Sequence, residues 1–475
     1  MSVDSPLGAD RQAASTAGTA TAEHSAARRL MPVLFVGVFM AALDTAIIGP
    51  AIPALRAAFR VDNRAIGLVM SVFILFSLCS TALMAKLSDR YGRRPIYLAS
   101  VACFALGSLL IALSPSFWLV VVSRGIQGIG AGGITPTASA VVGDTFPPAD
   151  RGRALGLIGA TYGMAFVLGP PLAALLLVAL SWRWIFLINL PIAALVILMG
   201  ARVLPSLPAL GRQAPLDRRG ILVTFLLLTA LVLGITHVVD EFSGLLLWPG
   251  FLVAAAVLLA LLIGVERRAE QPLIPLNLFA NRQLAVTYAL ALAAGFGMGS
   301  IIFVSSIATT GYGVTASHVG FVLLPLVLGS MFGSMGAGRL LNRIGARAIL
   351  LVGFSLLTGG YAALSITSFG LVAFIAASIP VGLGLGVVVG GAMRSIAIDE
   401  APTALRGSAQ GLINICNAIG TLLAAAVISA IADFSGSGIA GFALAYQCVA
   451  ALMLLALGVT LALRNDRGLP GHSLD

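Results

Sequence analysis

Apolar runs long enough to cross a bilayer follow one another along almost the whole chain, and this feature limits the possible folds more than any other. A helix that spans the hydrocarbon core of a membrane needs about 20 apolar residues. By that measure the 475-residue sequence contains fourteen such runs. They lie near 31–55, 65–85, 95–113, 117–142, 153–178, 184–204, 220–239, 245–265, 284–310, 317–337, 347–367, 370–392, 407–430 and 439–463. The chain is therefore predicted to be an all-α polytopic membrane protein with 14 transmembrane helices.

The composition agrees with a protein that is surrounded mostly by lipid. Hydrophobic residues make up 59% of the chain, charged residues 10%, and the mean hydropathy is +1.04, whereas soluble domains carry about 25% charged residues. The net charge of +10 does not indicate a nucleic-acid partner, because the positive charges lie where membrane topology requires them. The four cysteines lie within apolar runs without metal-ligand spacing, so we expect neither a disulfide nor a bound metal. There is no Walker A sequence and no nucleophile constellation, so we expect no enzyme activity and no cofactor.

A short basic loop occurs twice and divides the chain into related halves. The segment Ala85–Arg94 (AKLSDRYGRR) returns as Gly338–Arg347 (GRLLNRIGAR). Four identical pairs, each separated by 253 residues, are Leu87 and Leu340, Arg90 and Arg343, Gly92 and Gly345, and Arg94 and Arg347. Self-similarity at a fixed offset indicates a duplicated unit. Because six spans occupy residues 31–205, the offset leaves about 78 residues, which is room for two inserted spans between parallel six-span repeats.

Span lengths and the distribution of charge predict the domain boundaries and the topology. We expect a disordered cytoplasmic tail over 1–30, a six-helix bundle over 31–205, a linker with two transmembrane helices over 206–280, a second six-helix bundle over 281–465 and a cytoplasmic tail over 466–475. Of the 28 Lys and Arg residues, 23 fall in the tails or on one side of the membrane. Excess positive charge marks the cytoplasmic side, so both termini are predicted to be cytoplasmic.

Five segments carry a resemblance to a known family. They are Leu43–Pro53 (LDTAIIGPAIP), Ala85–Arg94, Arg124–Gly132 (RGIQGIGAG), Trp182–Pro191 (WRWIFLINLP) and Glu266–Phe279 (ERRAEQPLIPLNLF). In this order they resemble the motifs of the major facilitator superfamily, specifically its fourteen-span drug:proton antiporter branch. The resemblance implies the major facilitator fold, with two six-helix bundles plus two inserted central helices, and proton-coupled antiport by alternating access. It also implies a location in the plasma (cytoplasmic) membrane, which is the cell inner membrane.

The chain departs from the family pattern in the repeated loop and in the fifth span. Ala85 stands where the family usually has Gly, and Asn342 stands in the second copy where the first has Asp89. In the antiporter motif of the fifth span, three residues match and three alanines replace usual glycines. The matching residues are Gly156, Gly169 and Pro170, and the alanines are Ala165, Ala173 and Ala174. Because alanine is still small, close packing of the helix is expected to survive.

Asp44 is the only acidic residue deep within an apolar run, and Arg124 lies at a similar depth in the fourth run. The family fold places the first and fourth helices side by side, so we expect these two residues to interact directly or through water. Burial disfavours a charged carboxylate and a nearby guanidinium favours it, so such a site can load and release protons. Our hypothesis is that protonation of Asp44 and substrate binding compete. The alternative is a fixed ion pair that joins the two helices.

Polar residues recur at helical spacing in the fourth and thirteenth runs. Gln127 lies beside Arg124 and is predicted to face a substrate cavity. In the thirteenth run a polar stripe consists of Gln410, Asn414, Asn417 and Thr421. The stripe either lines the substrate path or joins helices by hydrogen bonds.

The first basic loop is a candidate conformational latch, because in the family this loop carries an acid that pairs with basic groups or with a helix end. The candidate latch residues are Asp89, Arg90, Gly92 and Arg93. The alternative is that the charges of the loop serve topology alone. In the fifth span, Gly169 and Pro170 are predicted to bend the helix, since proline removes a backbone hydrogen bond.

The leading functional hypothesis is proton-coupled efflux of lipophilic small molecules, as in multidrug efflux and antibiotic resistance, with the proton gradient as the energy source. With one deep carboxylate, neutral or monocationic amphiphiles are favoured over dications. Three alternatives stay open. They are a lipid or glycolipid exporter with the inserted helices as a lateral gate, proton-coupled uptake, and a non-transporting membrane sensor.

The second copy of the repeat lacks the charges that carry this hypothesis. At the 253-residue offset Asp44 corresponds to Gly297, Asp89 to Asn342, and Arg124 to Ala377 or, with a slip of one residue, Ser378. We therefore assign proton handling to the first half. Substrate contact, with the polar stripe of the thirteenth run, is assigned mainly to the second half.

Overall fold

The chain is built from helices, and no strand occurs among the residues that the structure describes. The computed structural model describes residues 7–61, 63–205, 217–239, 247–269, 272–314, 319–366, 370–434 and 439–464. The helices are α1 (Leu7–Phe59), α2 (Asn63–Tyr91), α3 (Arg93–Ala112), α4 (Phe117–Thr145), α5 (Pro148–Ala179), α6 (Arg183–Leu187), α7 (Asn189–Val203), α8 (Arg218–Val239), α9 (Leu247–Glu266), α10 (Asn277–Ala280), α11 (Arg282–Ser300), α12 (Ile302–Tyr312), α13 (Val319–Leu364), α14 (Gly370–Val387), α15 (Met393–Glu400), α16 (Arg406–Phe434) and α17 (Ile439–Thr460). A π-helical turn over Val388–Ala392 joins α14 to α15.

The described part of the chain contains 11 helices long and apolar enough to cross a membrane, so the protein is a multi-pass membrane protein. Two further apolar helices, Arg219–Gly234 and Gly250–Glu266, are shorter than these. Helix α13 is 46 residues long but contains a non-helical residue, Gly345. The predicted number of 14 spans stays a prediction.

The helices pack into two bundles with separate apolar cores. Helices α1 to α7 surround two clusters of buried side chains, and α11 to α17 surround a third. Helices α8 and α9 pack on each other between the two bundles in sequence. A fourth, smaller cluster contains Leu228 of α8, Leu78 of the first bundle and Ile415 of the second. Helix α8 therefore lies against both bundles.

The duplicated loop has the same backbone conformation in both copies. Gly92, between α2 and α3, has φ 98° and ψ 158°. Gly345, its counterpart within α13, has φ 81° and ψ 159°. A positive φ is strained for residues with a side chain, so glycine is required at both turns. The repeat seen in the sequence is thus also a repeat of local structure.

Two matching interfaces join the bundles at the end of the molecule where Asp89 lies, which we call the Asp89 end. A Cβ atom at Gly156 of α5 would lie 2.8 Å from Gly338 Cα of α13. A Cβ atom at Gly411 of α16 would lie 3.0 Å from Ala85 Cβ of α2. Gly338 is the repeat counterpart of Ala85, so the two interfaces are related by the internal duplication. Small residues let the helices of opposite bundles approach closely at both places.

The N-terminal segment differs from the sequence-based expectation. Helix α1 begins at Leu7, so residues 7–30 are helical rather than a disordered tail. This stretch is rich in alanine, which has the highest intrinsic helix propensity, and it continues directly into an apolar span. Residues 1–6 and the predicted tail over 466–475 lie outside the described residues, as do parts of the predicted linker.

Candidate functional site

Asp44 of α1 and Arg124 of α4 form a buried ion pair. Arg124 Nη1 donates to Asp44 Oδ2 at 2.8 Å. The exposed fractions are 2% for Asp44 and 0% for Arg124. Both residues lie within candidate membrane spans, Arg29–Gly49 and Phe117–Thr145. The structure therefore brings together the two charges that the sequence analysis expected to interact, and it does so by a direct hydrogen bond.

The second carboxylate oxygen of Asp44 is held by two amides. Gln127 Nε2 donates to Asp44 Oδ1 at 2.9 Å, and Asn189 Nδ2 donates to the same oxygen at 3.0 Å. Each amide also donates to Ser108 Oγ, at 2.8 Å from Gln127 and 3.2 Å from Asn189. Sequence reasoning missed Asn189 and Ser108 as site residues. The available signal was weak, since each is an uncharged polar residue inside an apolar run.

The guanidinium of Arg124 is fixed by three further contacts. Its Nε donates to the carbonyl oxygen of Val69 at 3.1 Å, and its Nη1 donates to Gln127 Oε1 at 2.6 Å. The guanidinium carbon lies 4.1 Å from the centre of the Phe73 ring, a cation–π distance. Gln127 thus binds both partners of the ion pair. The network joins five helices, namely α1, α2, α3, α4 and α7.

Such a network can exchange a proton only by rearranging. The charged Asp44 carboxylate accepts three hydrogen bonds, from Arg124, Gln127 and Asn189. A proton on Asp44 would remove the partner charge of a guanidinium that is fully buried, and an unpaired buried charge is costly. Protonation is therefore linked to movement of the surrounding helices, or to entry of water or a ligand beside Arg124.

Asp89 joins the two bundles through the first turn of α16. Its Oδ1 accepts from the backbone N–H of Gly407 at 3.0 Å, and its Oδ2 accepts from the N–H and the Oγ–H of Ser408, both at 2.9 Å. Within its own bundle, Asp89 forms an ion pair with Arg93. A carboxylate at a helix N-terminus is stabilised by the unpaired N–H groups and by the helix dipole.

Two reciprocal ion pairs also cross between the bundles. Arg406 Nη1 of α16 donates to Asp144 Oδ1 of α4 at 3.0 Å. Arg151 Nη1 of α5 lies 3.5 Å from Asp399 Oδ1 of α15. Asp144 and Asp399 are 255 positions apart in the sequence, and so are Arg151 and Arg406. The two ion pairs are therefore related by the internal repeat. The acid lies in the first bundle in one pair and in the second bundle in the other.

The polar stripe of α16 contacts Arg394, a buried arginine that was not among the residues predicted from the sequence. Arg394 Nη2 donates to Asn414 Oδ1 at 3.1 Å, and Gln410 Nε2 donates to the carbonyl oxygen of Arg394 at 2.8 Å. Asn417 is half-buried, and its carbonyl oxygen accepts from Thr421 at 3.0 Å. Arg394 lies just beyond the twelfth apolar run, near 370–392, so it does not stand out in the sequence as a charge within a span.

Comparison with known proteins identifies the family. The sequence profile described as Major Facilitator Superfamily matches residues 34–425. The chain belongs to this superfamily. It is 33% identical over 416 residues to the uncharacterised MFS-type transporter YfiU of Bacillus subtilis (strain 168), covering 85% of this chain and 80% of that protein. The family predicted from the sequence motifs is confirmed.

Other similar proteins include a multidrug transporter and a solved structure of the same fold. The chain is 30% identical over 412 residues to multidrug resistance protein Stp of Mycobacterium tuberculosis (strain CDC 1551 / Oshkosh), covering 83% of this chain and 74% of that protein. The crystal structure of the human organic anion transporter MFSD10 (TETRAN) matches with a TM-score of 0.62 at 20% identity, covering 91% of this chain and 99% of that one. The latter similarity shows the fold alone.

Four other residues were singled out by the resemblance to the superfamily, namely Arg90, Gly92, Gly169 and Pro170. Gly92 forms the turn of the loop, as described above, whereas Arg90 Nε and Nη1 are buried without a hydrogen-bond partner among the described residues. The acid of the loop thus pairs with Arg93 instead of Arg90. A Cβ atom at Gly169 would lie 2.7 Å from Ala46 Cβ, so this glycine admits α1. Helix α5 continues through Pro170 to Ala179, and the bend predicted there stays a prediction.

Proposed function

We propose that the protein exports lipophilic small molecules across the cytoplasmic membrane in exchange for protons, by alternating access. In this proposal the chain crosses the membrane 14 times. The two extra spans beyond the long helices are α8 and α9, and α13 crosses twice with its turn at Gly345. Both termini and the Asp89 end are cytoplasmic, in keeping with the excess of positive charge on that side.

The Asp44–Arg124 pair is the single observation that carries proton coupling. Ionisable residues within a membrane span are rare and usually serve transport of ions or substrates. The carboxylate lies at 2.8 Å from a guanidinium and is held by two amides, so its charge state controls a network of five helices. In the proposed cycle, protonation from the outer side frees Arg124 and loosens this network. Each proton that moves down the membrane potential supplies about 2.3 kcal/mol per 100 mV.

The contacts at the Asp89 end provide the alternating gate. Asp89, Asp144 and Asp399 each bind a group of the opposite bundle in this arrangement of the helices. In the proposed cycle these three contacts break together when the site opens to the cytoplasm, and they re-form when it opens outward. Multidrug resistance protein Stp, at 30% identity, supports drugs as the substrate class.

Lipid export is the second candidate, and the position of α8 favours it. Leu228 and Val232 of α8 lie in one apolar cluster with α2 and α16, where the two bundles meet. An inserted helix at this seam is suitably placed to admit an acyl chain from the bilayer. A lipid exporter would use the same ion pair and the same gate.

Transport by the purified protein in liposomes tests the proposal. A pH gradient is imposed, and the movement of a lipophilic dye and of a fluorescent phospholipid is followed with and without a protonophore. Dye movement that requires the protein and stops when the gradient is collapsed supports drug:proton exchange. Phospholipid movement alone supports the second candidate. If neither moves, the transport proposal is wrong and a sensor role gains support.

A further inference from the structure

Arg394 is a buried cation at the junction of the two bundles. It lies at the start of α15 with 5% of its surface exposed. Its Nη1 donates to Ser139 Oγ of α4, in the first bundle, at 3.1 Å. Its Nη2 donates to Asn414 Oδ1 of α16, in the second bundle, at 3.1 Å. The side chain therefore lies between helices of opposite bundles.

The charge of Arg394 has no acidic partner in the described part of the chain. Arg93, Arg124, Arg151 and Arg406 each form a salt bridge, whereas Arg394 contacts only neutral oxygens through its Nη atoms. Its Nε atom is buried without any hydrogen-bond partner, and so is the neighbouring Gln410 Oε1. Burial of an unpaired charge is unfavourable and is tolerated when a counter-ion enters the site.

The position of Arg394 places it close to the axis that relates the two halves. The interbundle ion pairs repeat at an offset of 255 residues, and at this offset Arg394 corresponds to Ser139, the residue that it binds. Two positions related by a twofold axis can touch only near that axis. The path between the bundles runs along the same axis in this type of transporter. Arg394 thus lies on the route of a molecule that passes between the bundles.

The backbone before Arg394 is irregular. The π-helical turn Val388–Ala392 precedes it, and Gly390 has ψ −127°, outside the helical range. Insertions of this kind occur frequently at functional sites, because they redirect the side chains that follow. A regular α14 would carry Arg394 to another face of the helix. The irregular turn is a second, independent indication that this side chain has a function.

We propose that Arg394 binds the anionic headgroup, a carboxylate or a phosphate, of an amphiphilic substrate. This inference rests on the proposed transport function and names its substrate class. The pair at Asp44 adds no net charge to the path, because Arg124 neutralises the carboxylate. Arg394 therefore gives the described part of the path a net positive charge, which favours anions over the monocations expected from the sequence. The planar guanidinium also matches the geometry of carboxylate and phosphate oxygens.

Binding of a fluorescent anion to the full-length protein in detergent, without any gradient, tests this inference. The probes are dansyl-labelled undecanoic acid and its uncharged methyl ester. We expect Arg394→Gln to weaken binding of the acid by about ten- to a hundredfold, as expected for loss of one charged hydrogen bond. Binding of the ester should be unchanged, and Arg394→Lys should restore part of the affinity for the acid. The control is Arg343→Gln, an exposed arginine at the same end of the molecule.

Equal binding of acid and ester by the wild-type protein would overturn the inference, and so would unchanged acid binding by Arg394→Gln. The wild-type comparison keeps the test valid even when Arg394→Gln fails to fold. Repeating the measurement in nanodiscs, with and without phosphatidylglycerol, separates two sources of the anion. Competition by this lipid identifies a lipid phosphate as the occupant, and unchanged binding identifies the free amphiphile. Because no gradient is used, failure of proton coupling in liposomes leaves the result unaffected.

Discussion

At the scale of residues, the buried pair of Asp44 and Arg124 holds an ionisable carboxylate in a fixed position but adds little to the free energy of unfolding. Burying two ions costs several kcal/mol each, and their attraction only roughly repays that cost. The three hydrogen bonds to the carboxylate and the Phe73 ring beside the guanidinium reduce the cost further. Removing one partner leaves the other charged and buried, which is far more damaging than removing both.

Neutralising Arg124 alone should therefore destabilise the protein more than neutralising both charges. We expect Arg124→Gln to lower stability by about 3–5 kcal/mol, the cost typical of a broken buried pair. The double variant Asp44→Asn with Arg124→Gln should recover a large part of this loss. Thermal unfolding in detergent, compared over all four members of the mutant cycle, measures the coupling. Additive effects of the two substitutions would show that the residues do not interact.

The sequence revealed some members of this network and concealed others. Asp44 and Arg124 were visible because charges inside apolar runs are rare, and Gln127 was visible because it lies three positions from Arg124. Asn189 and Ser108 are ordinary polar residues until packing brings α3 and α7 to α1. Arg394 gave no signal in the sequence, because it lies beyond the apolar run near 370–392 and its burial depends on α4, which is distant in sequence. Contacts between remote helices are set by packing, which a single sequence does not encode locally.

At the scale of helices, small residues allow the two bundles to close. The approach of α5 to α13 at Gly156 and Gly338 leaves no room for a side chain. The related contact of α2 with α16 uses Ala85 and Gly411. Because both interfaces join the bundles at the Asp89 end, both open in the proposed cycle when that end opens.

A methyl group at Gly156 should hold this interface apart. Its Cβ atom would lie 2.8 Å from Gly338 Cα, which is backbone and cannot move aside. The arrangement in which the Asp89 end is closed should be destabilised by Gly156→Ala by about 1–3 kcal/mol, the usual cost of overpacking. We expect transport to slow as a result. Gly336→Ala is the matched control, because nothing lies within 4 Å of a Cβ atom there. Equal transport rates in the two variants would rule out close packing at Gly156 as a requirement.

The two reciprocal ion pairs should contribute unequally to closure. The side chain of Asp144 is 8% exposed and binds both Arg93 and Arg406, whereas that of Asp399 is 58% exposed. We expect Asp399→Asn to weaken closure by about 1 kcal/mol or less. Asp144→Asn should weaken it by about 3–5 kcal/mol, because Arg406 of the opposite bundle loses a buried acidic partner.

The distance between spin labels at Arg153 and Ala404, exposed residues of opposite bundles, measures which fraction of the molecules is closed at the Asp89 end. We expect the Asp144→Asn distribution to shift to longer distances and the Asp399→Asn distribution to stay near that of the wild type. The reverse order would show that burial does not determine the strength of these pairs.

At the scale of the whole molecule, the apolar runs correctly predicted an all-helical membrane protein and the sequence motifs correctly predicted the family, while the number of 14 spans stays a prediction. The period and the length of an apolar run depend only on residues that are close in sequence. The repeated loop of the sequence corresponds in the structure to two matching glycines with positive φ, Gly92 and Gly345. Helix α1 begins at Leu7, within the stretch expected to be a tail, because composition alone does not distinguish an alanine-rich coil from a helix that extends a span. Partners across the bundles, such as Ser408 for Asp89, were beyond prediction because they depend on how the halves pack.

The halves share a backbone plan but differ in chemistry. The counterpart of Asp44 is Gly297, whose carbonyl oxygen accepts a hydrogen bond from Tyr361. The second bundle thus replaces an ionisable site by a fixed neutral contact. This difference supports proton handling in the first half, with Arg394 as the charged group of the second half at the path.

The variant Asp44→Asn tests the proposal that the charge state of Asp44 couples substrate movement to protons. In liposomes, two fluxes of the same substrate are compared in the wild type and the variant. One is exchange of labelled for unlabelled substrate without a gradient, and the other is accumulation driven by a pH gradient. We expect Asp44→Asn to retain exchange and to lose gradient-driven accumulation, because asparagine cannot release a proton. Undiminished gradient-driven accumulation by Asp44→Asn would show that the charge state of Asp44 does not couple transport to protons.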